Sequence, residues 1–420
     1  MNKTARFSRD FILVVMGQII SIFGNQILRY ALPLYLLNQT GSPALFGSIL
    51  AISFVPMLFL FPIGGIIADR VNKRNVMVIL DFSMAVLIFL FYLLSGRVDI
   101  VPLMAVTMIL LYGIQGAYQP AVQASVPLLV NKERLMQGNS IVNLITSLAS
   151  MIGPVIGGLL YSMVGLTPIL YVSVVCFFAA ATMELFIRMP FEKAESSTNM
   201  FVTAWGDLKE SFGFLFKTRP VLWKISVIFA SINLFLTSLV LIGLPVLVTQ
   251  HLGFAPEMAN RLYGYAQGII GGGAVLGGLI AGVLSKKLKL KASPLIIIAC
   301  ACSMLVGGLA LQFVRSSIGI YLVLAIGGGI LVALSTLLQI QVMTSIQILT
   351  PQHLIGKVIS CVICICMCTN PLGNFIYGIV FEQIGKLTYF PYYGAGVLMI
   401  GVGIFSRRIF SGVDQMVAGK

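Results

Sequence analysis

The chain of 420 residues is too apolar for a soluble protein, since 58% of its residues are hydrophobic, 10% are charged and the mean hydropathy is +1.01. A soluble domain carries about a quarter charged residues, so most of this surface must face lipid. The net charge of +14 lies in short segments between apolar runs. That placement argues against nucleic acid as a partner and favours a lipid bilayer.

Apolar runs long enough to cross about 30 Å of hydrocarbon recur along the whole chain. We expect helices, because lipid offers backbone groups no other partner. When alternate loops are assigned to opposite sides, most of the 27 Lys and Arg residues fall on one side. The positive-inside rule then predicts that both termini are cytoplasmic in a bacterial inner membrane. The predicted spans are 11–37, 44–68, 75–96, 100–130, 135–164, 166–188, 221–248, 259–285, 294–314, 318–349, 356–384 and 388–406.

The first span carries Gln18, Asn25 and Arg29 at spacings of seven and four. A charge at the centre of a membrane helix costs at least about 2.5–3.5 kcal/mol on insertion scales. Arg29 lies about two turns from the outer end of the span. It either snorkels to the outer interface or contacts a polar or anionic substrate group or a carboxylate.

The loop after the second span, residues 65–74, reads GIIADRVNKR. It resembles the signature G-x-x-x-D-R-x-G-R-K/R of the major facilitator superfamily, with Asn72 in the place of the second glycine. We expect Asn72 to preserve a tight turn, because Asn tolerates positive φ better than most residues.

In that family the loop forms a conformational latch on the cytoplasmic side. The resemblance implies that Asp69 accepts hydrogen bonds at the start of helix 11 and that the basic residues pair with acids such as Asp81 and Glu133. The alternative is a plain positive-inside loop, which leaves Asp69 unexplained. The predicted latch residues are Gly65, Asp69, Arg70, Lys73, Arg74 and Asp81.

The fourth span presents a polar face with Tyr112, Gln115, Gln119 and Gln123 at spacings of three, four and four. Such a stripe should turn away from lipid, either to bond another helix or to line a wet cavity. Proton-coupled drug exporters of the superfamily carry an arginine where this chain has Tyr112, so that arginine's role cannot be transferred.

The fifth span contains Gly153, Pro154, Gly157 and Gly158 in the order GPVIGG. This resembles the core of the motif that marks the exporter branch of the superfamily. Glycines let helices approach closely and proline bends a span. Generic helix packing is the alternative interpretation.

The two halves of the chain repeat weakly at a period near 213 residues, as in LFG at 45–47 and LYG at 262–264. We therefore predict an all-α protein of twelve transmembrane helices in two pseudo-symmetric six-helix bundles. The predicted bundles are 1–189 and 221–420, joined by a cytoplasmic linker with an amphipathic helix at 190–220.

In the superfamily, helices 1, 4, 7 and 10 line the substrate cavity, and here each carries polar residues. The predicted cavity residues are Gln18, Asn25, Arg29, Tyr112, Gln115, Gln119, Asn233 and Gln339.

Acidic residues lie near predicted helix ends or in loops. We expect ion pairs at a spacing of four between Glu184 and Arg188 and between Glu382 and Lys386. Proton coupling, which the family resemblance implies, would have to use Asp81, Glu184 or a charge on the substrate.

Enzyme, cofactor and metal sites are not predicted. The sequence has no phosphate-binding loop, and the cysteines between 361 and 368 lack accompanying His or carboxylate, so we interpret them as packing residues.

Over most of its length the chain resembles the macrolide-efflux branch of the superfamily. That resemblance implies a monomeric secondary transporter that exports lipophilic or amphipathic drugs by alternating access. The alternative is export or flipping of an endogenous anionic metabolite, siderophore or lysophospholipid. A membrane receptor or scaffold is disfavoured, because long loops and soluble extensions are missing. The sequence leaves the substrate, the direction and the coupling ion open.

Overall fold

In the computed structural model, the described residues are 7–131, 134–189, 213–284, 290–351 and 354–418, with side chains described for all except 61–70, 355–357, 360 and 414–418. Within this part of the chain, twelve helices are long and apolar enough to cross a membrane. The predicted all-α fold with twelve spans is confirmed. The helices are α1 Arg9–Thr40, α2 Pro43–Arg70, α3 Lys73–Leu94, α4 Ile100–Leu129, α5 Leu135–Val164, α6 Leu166–Leu185, α7 Pro220–His251, α8 Pro256–Leu284, α9 Ser293–Phe313, α10 Ser317–Leu349, α11 Ile355–Ile384 and α12 Phe390–Ala418.

Several helix ends differ from their predictions by about three residues, and one differs by more. The helix α6 stops at Leu185 rather than at 188, and α12 continues to Ala418 rather than ending at 406. Hydropathy places the end of an apolar run, whereas a helix can continue with a polar face at the interface. Arg407 and Arg408 are exposed residues of this continuation.

Local side chains fix several helix starts. The hydroxyl of Ser8 accepts a hydrogen bond from the amide of Phe11 at the start of α1, and Asn72 caps α3 by accepting from the amide of Arg74. Such caps satisfy orphan amides of the first turn. Asn72 has φ −58°, so the expectation of a turn with positive φ at this residue is wrong. A positive φ occurs at a different turn, the one between α1 and α2, where Gly41 has φ 63°.

The helix α7 is irregular at two places. One π-helical turn spans Asn233–Thr237 in its middle and another spans Leu247–His251 at its end. Single π turns inside α-helices are frequent at functional sites. The predicted linker helix falls largely on residues 190–212, which lie outside the described residues.

The chain forms two compact units. Unit 1 comprises Met1–Gly41, Ile52–Glu195 and Ala255–Gly268, and unit 2 comprises the remaining segments. The beginning of α2 therefore belongs to unit 2 and the beginning of α8 to unit 1. The predicted division at 189 and 221 did not place the start of α2 in unit 2 or the start of α8 in unit 1. The predicted division stays a prediction. In unit 1, α3 packs along α4 and α6, and α1 packs along α5 and α6; in unit 2, α9 packs along α10 and α12.

Candidate functional site

Five polar side chains meet inside unit 1, and we call them the buried acid cluster: Gln18, Ser21, Asp81, Tyr118 and Glu184. The Tyr118 hydroxyl lies 2.9 Å from Glu184 Oε1 and 3.5 Å from Asp81 Oδ2. Ser21 Oγ donates to Asp81 Oδ1 at 2.8 Å, and Gln18 Nε2 donates to the Tyr118 oxygen at 3.2 Å. Four helices, α1, α3, α4 and α6, thus contribute to one hydrogen-bonded group.

Both carboxyls of this cluster are deeply buried, with Asp81 2% and Glu184 0% exposed. The partners of Asp81 here are hydroxyls, whereas the predicted latch pairs this residue with basic residues of the loop. The expected ion pair between Glu184 and Arg188 is wrong. Arg188 lies beyond the end of α6 and is exposed, while Glu184 faces inward to Tyr118.

The predicted latch is described only in part. The backbone of α2 extends through Gly65, Asp69 and Arg70, but their side chains lie outside the described residues. The guanidinium of Arg74 donates to the carbonyl of Leu185 at the end of α6. A cation at a helix carboxyl end is stabilised by the helix dipole. The latch function of the loop, including that of the half-buried Lys73, stays a prediction.

The structure brings two predicted cavity residues into direct contact. The Arg29 guanidinium carbon lies 4.3 Å from the centre of the Tyr112 ring, which is a cation–π geometry. The Tyr112 ring also contacts Phe54, with ring centres 5.0 Å apart. Arg29 is half-buried and Tyr112 is 4% exposed. We call this pair the Arg29–Tyr112 site. Neither interpretation of Arg29 from the sequence considered an aromatic partner.

Further predicted cavity residues lie on the same helix faces. Asn25, one turn before Arg29, is 4% exposed, and its Nδ2 has no hydrogen-bond partner among the described residues. Gln115 and Gln119, which follow Tyr112 on α4, are half-buried. Gln18 instead joins the buried acid cluster.

The remaining predicted cavity residues belong to unit 2. Asn233 begins the central π turn of α7, and its carbonyl accepts a hydrogen bond from the Ser238 hydroxyl. Gln339 is an exposed residue of α10. Their role in a cavity stays a prediction.

The glycines of the predicted exporter motif are packing positions of unit 1. A Cβ atom on Gly153 would lie 2.6 Å from Gln26 Cβ, and one on Gly157 would lie 3.1 Å from Tyr30 Cδ1. A Cβ atom on Gly158 would lie 2.9 Å from the Cα of Gly264 in α8. Pro154 lies inside the continuous helix α5. The motif thus lets α5 approach α1 and the start of α8 at backbone distance.

A groove in unit 2 lies away from these predicted positions. Its volume is about 410 Å³, and it opens between the start of α9 and the end of α12. The lining residues are Lys291, Pro294, Leu295, Arg407, Arg408 and Ser411.

The family model described as Major Facilitator Superfamily matches residues 14–369 of the chain. The chain belongs to the Major Facilitator Superfamily. It therefore belongs to a family of multi-pass membrane transporters. The resemblance inferred from the loop after α2 is confirmed at the level of the family.

Individual relatives of this superfamily are distant. The chain is 25% identical over 191 residues to Macrolide efflux protein A of Streptococcus pyogenes, which covers 45% of this chain and 47% of that protein. It is 30% identical over 154 residues to the Enterobactin exporter EntS of Shigella boydii serotype 4 (strain Sb227), or 36% of each chain. The matched region thus spans about half the length of the macrolide efflux relative and about a third of the enterobactin exporter.

Solved structures confirm the fold. The crystal structure of a D-xylose–proton symporter has a TM-score of 0.71 with this chain at 13% identity, covering 94% of this chain and 96% of the symporter. At this identity the likeness extends to the superfamily fold and not to the cargo.

Sequence reasoning missed the central member of the buried acid cluster. Tyr118 lies between Gln115 and Gln119 of the α4 stripe. The regular spacing of that stripe predicted a polar role for the two glutamines and none for Tyr118. A usable signal was present, because Gln18 and Ser21 are three residues apart and share a face of α1. Two polar side chains on one face of a membrane helix predict a polar partner on a neighbouring helix of the bundle.

Proposed function

We propose that this transporter exports lipophilic or amphipathic compounds of the macrolide type by alternating access. The observation that carries the proposal is the Arg29–Tyr112 site, where a cation, an aromatic ring and half-buried amides lie on adjacent helices of unit 1. Ligand sites are mostly apolar, with a few polar groups that orient the ligand.

Two further observations support an exporter. Gly153, Gly157 and Gly158 lie at close packing positions of α5, as the exporter motif requires. One relative, which matches the chain over 47% of its own length, is a macrolide efflux protein. The site in this chain lacks the helix-4 arginine of proton-coupled drug exporters, so Arg29 supplies the positive charge from α1 instead.

A second candidate function follows from the same residue. Arg29 would hold an anionic group if the substrate is an endogenous anion such as a siderophore, and the chain has partial similarity to an enterobactin exporter. A guanidinium held over an aromatic ring keeps its charge and its N–H donors, which suit a planar carboxylate or catecholate. This candidate makes Arg29 the counter-ion rather than one wall of an amphipathic pocket.

The deciding experiment measures export from bacterial cells that lack other efflux pumps. Cells expressing the chain are loaded with radiolabelled erythromycin or enterobactin, with and without an uncoupler. We expect lower erythromycin accumulation than in cells without the chain, and loss of that difference with the uncoupler. Equal accumulation of every compound in both strains would contradict a transport function toward these classes.

Arg29 variants separate the two candidates. Arg29→Gln should abolish enterobactin export if the arginine is a counter-ion, and Arg29→Lys should restore part of it because the charge returns. Erythromycin export should fall severalfold in both variants if stacking on Tyr112 shapes an amphipathic pocket, since lysine does not reproduce a planar group. The orientation, the inner membrane and the monomeric state remain parts of this proposal, which topology tags and light scattering can test.

A further inference from the structure

The buried acid cluster has fewer hydrogen-bond donors than its acceptors require. The Tyr118 hydroxyl has one hydrogen, yet it lies within hydrogen-bond distance of both Glu184 and Asp81. Among the described residues, Glu184 Oε2 and Gln18 Oε1 have no hydrogen-bond partner. A buried acceptor without a donor costs about 1–3 kcal/mol, and more if it carries charge.

Electrostatics points in the same direction as the donor count. Two ionised carboxylates that share a buried site repel each other, so one of them tends to hold a proton. A proton on Glu184 would remove one negative charge and turn Oε2 into a donor. Asp81 has more hydrogen-bond donors than Glu184 to stabilise its ionised form, because it also accepts a hydrogen bond from Ser21 Oγ at 2.8 Å.

We infer that the buried acid cluster is a proton-binding site, in which Glu184 takes up one proton and Tyr118 reports its presence by shifting its hydrogen bond. When the proton binds, the O–H bond forms on a carboxylate oxygen of Glu184, and the Tyr118 hydrogen is free to bond Asp81. When the proton leaves to water, the Tyr118 hydrogen returns to Glu184.

Among the residues that the structure describes, few groups face the proton site. The helix α1 contributes Gln18 and Ser21, α3 contributes Asp81, and α4 contributes Tyr118. Along α5, the residues that the structure describes carry no charge.

The cations close to the cluster along the chain have other contacts. Arg74 donates to the carbonyl of Leu185, and the backbone amide of exposed Arg188 donates to Asp10. Glu184 is the next-to-last residue of α6. The cluster therefore lies toward the end of the bundle at which α6 ends.

The same two helices connect the proton site with the Arg29–Tyr112 site. On α1, positions 18, 21, 25 and 29 follow each other at spacings of three, four and four, which is one helix face. On α4, Tyr118 lies six residues after Tyr112. At 1.5 Å per residue, Gln18 and Arg29 are about 16 Å apart along the helix. Protonation of the cluster can thus bias the helices that carry the Arg29–Tyr112 site. The coupling part of this inference rests on the proposed export function.

Proton binding itself can be tested without a substrate. Infrared difference spectra of the purified full-length protein in lipid, recorded between acidic and alkaline pH, should contain the carbonyl band of a protonated buried carboxylic acid. Glu184→Gln should remove that band. Glu257→Gln, at an exposed acid of α8, should retain it. A band that is unchanged in Glu184→Gln would overturn the assignment.

Coupling is tested in proteoliposomes with radiolabelled erythromycin. Wild-type protein should accumulate the drug when a pH gradient is imposed, and replacing sodium with choline should have no effect. Glu184→Gln imitates the protonated state, so it should lose gradient-driven accumulation while it still exchanges labelled for unlabelled drug. Retained exchange would show that the variant is folded.

The outcomes separate this inference from the proposed function. Gradient-driven accumulation that persists in Glu184→Gln would overturn the coupling role, as would exchange by the wild type with no response to pH. Accumulation driven by sodium alone would also overturn it. If the wild type moves no labelled drug at all, the proposed function fails, and the infrared result still decides whether the cluster binds a proton.

Discussion

The two units share a packing device but differ in the chemistry that they bury. In unit 1, Gly158 of α5 meets Gly264 of α8, and in unit 2, Gly378 of α11 meets Gly47 of α2. A Cβ atom on Gly158 would lie 2.9 Å from the facing Cα, and so would one on Gly47. The internal repeat therefore preserved the positions at which backbones touch, because any side chain there would separate the helices.

The buried polar groups do not repeat. In the part of the chain that the structure describes, unit 1 buries two carboxyls, Asp81 and Glu184, whereas the buried polar residues of unit 2 are Ser, Thr and Asn. Many of these short side chains bond a nearby carbonyl of their own helix, as Ser226 does with Leu222. The comparison teaches that the repeat constrains packing, while each unit is free to acquire its own polar function.

Contacts beside the two glycine pairs differ as well. In unit 1 the side chain of Asn38 donates to Asn260 Oδ1 at 3.0 Å, and both groups are neutral. In unit 2 the Glu382 carboxylate accepts from the Ser42 hydroxyl and from the Ala44 amide at the start of α2. This differs from the expected pair of Glu382 with Lys386.

The largest expected effect comes from filling the glycine pairs. Gly264→Val and Gly47→Val should each destabilise the protein by about 1–3 kcal/mol, because overpacking displaces backbone, and both should abolish drug export. Gly278→Val, at a position of α8 where a Cβ atom meets open space, is the matched control. Thermal unfolding in detergent and export assays measure the effects. A tolerated valine in only one unit would break the equivalence of the two pairs.

An intermediate effect is expected from the buried tyrosines. Tyr118→Phe leaves Glu184 Oε1 without its donor, so it should lower the free energy of unfolding by about 1–3 kcal/mol. It should also abolish the pH response of transport. Tyr377→Phe in unit 2 removes a hydrogen bond to the Phe235 carbonyl and should cost about 1 kcal/mol with the pH response intact. Unfolding midpoints and pH profiles of transport distinguish them. Equal pH profiles in both variants would remove the distinction between the units.

The smallest effect is expected at the start of α2, where Glu382 accepts hydrogen bonds. Glu382→Gln keeps one acceptor but removes the negative charge at a helix amino end, and exposed interactions of this type contribute about 0.3–1 kcal/mol. Stability should fall by that amount at low salt and by less at high salt. Asn38→Ala, which removes one member of the neutral Asn38–Asn260 pair of unit 1, is the comparison, and its effect should not depend on salt. Salt-dependent melting of both variants measures the difference.

The number of spans and most of their limits were predictable from the sequence. Lipid requires about 20 apolar residues for each crossing, and runs of that length can be identified directly in the sequence. The family was also predictable, since residues 65–74 join two adjacent spans as the superfamily signature does. The glycine pairs were half predictable: the repeat matched Gly47 with Gly264, but it did not show which helices they meet.

The sequence by itself determined that this chain has twelve candidate membrane spans and belongs to the Major Facilitator Superfamily, because hydropathy and a loop signature are local properties. Only the tertiary structure decided that Glu184 turns to Tyr118 rather than to Arg188 and that Arg29 stacks on Tyr112. These choices depend on which helices become neighbours and on where α6 ends. In a bilayer, a buried polar group takes the partner that the bundle brings to it, however close another candidate lies along the chain.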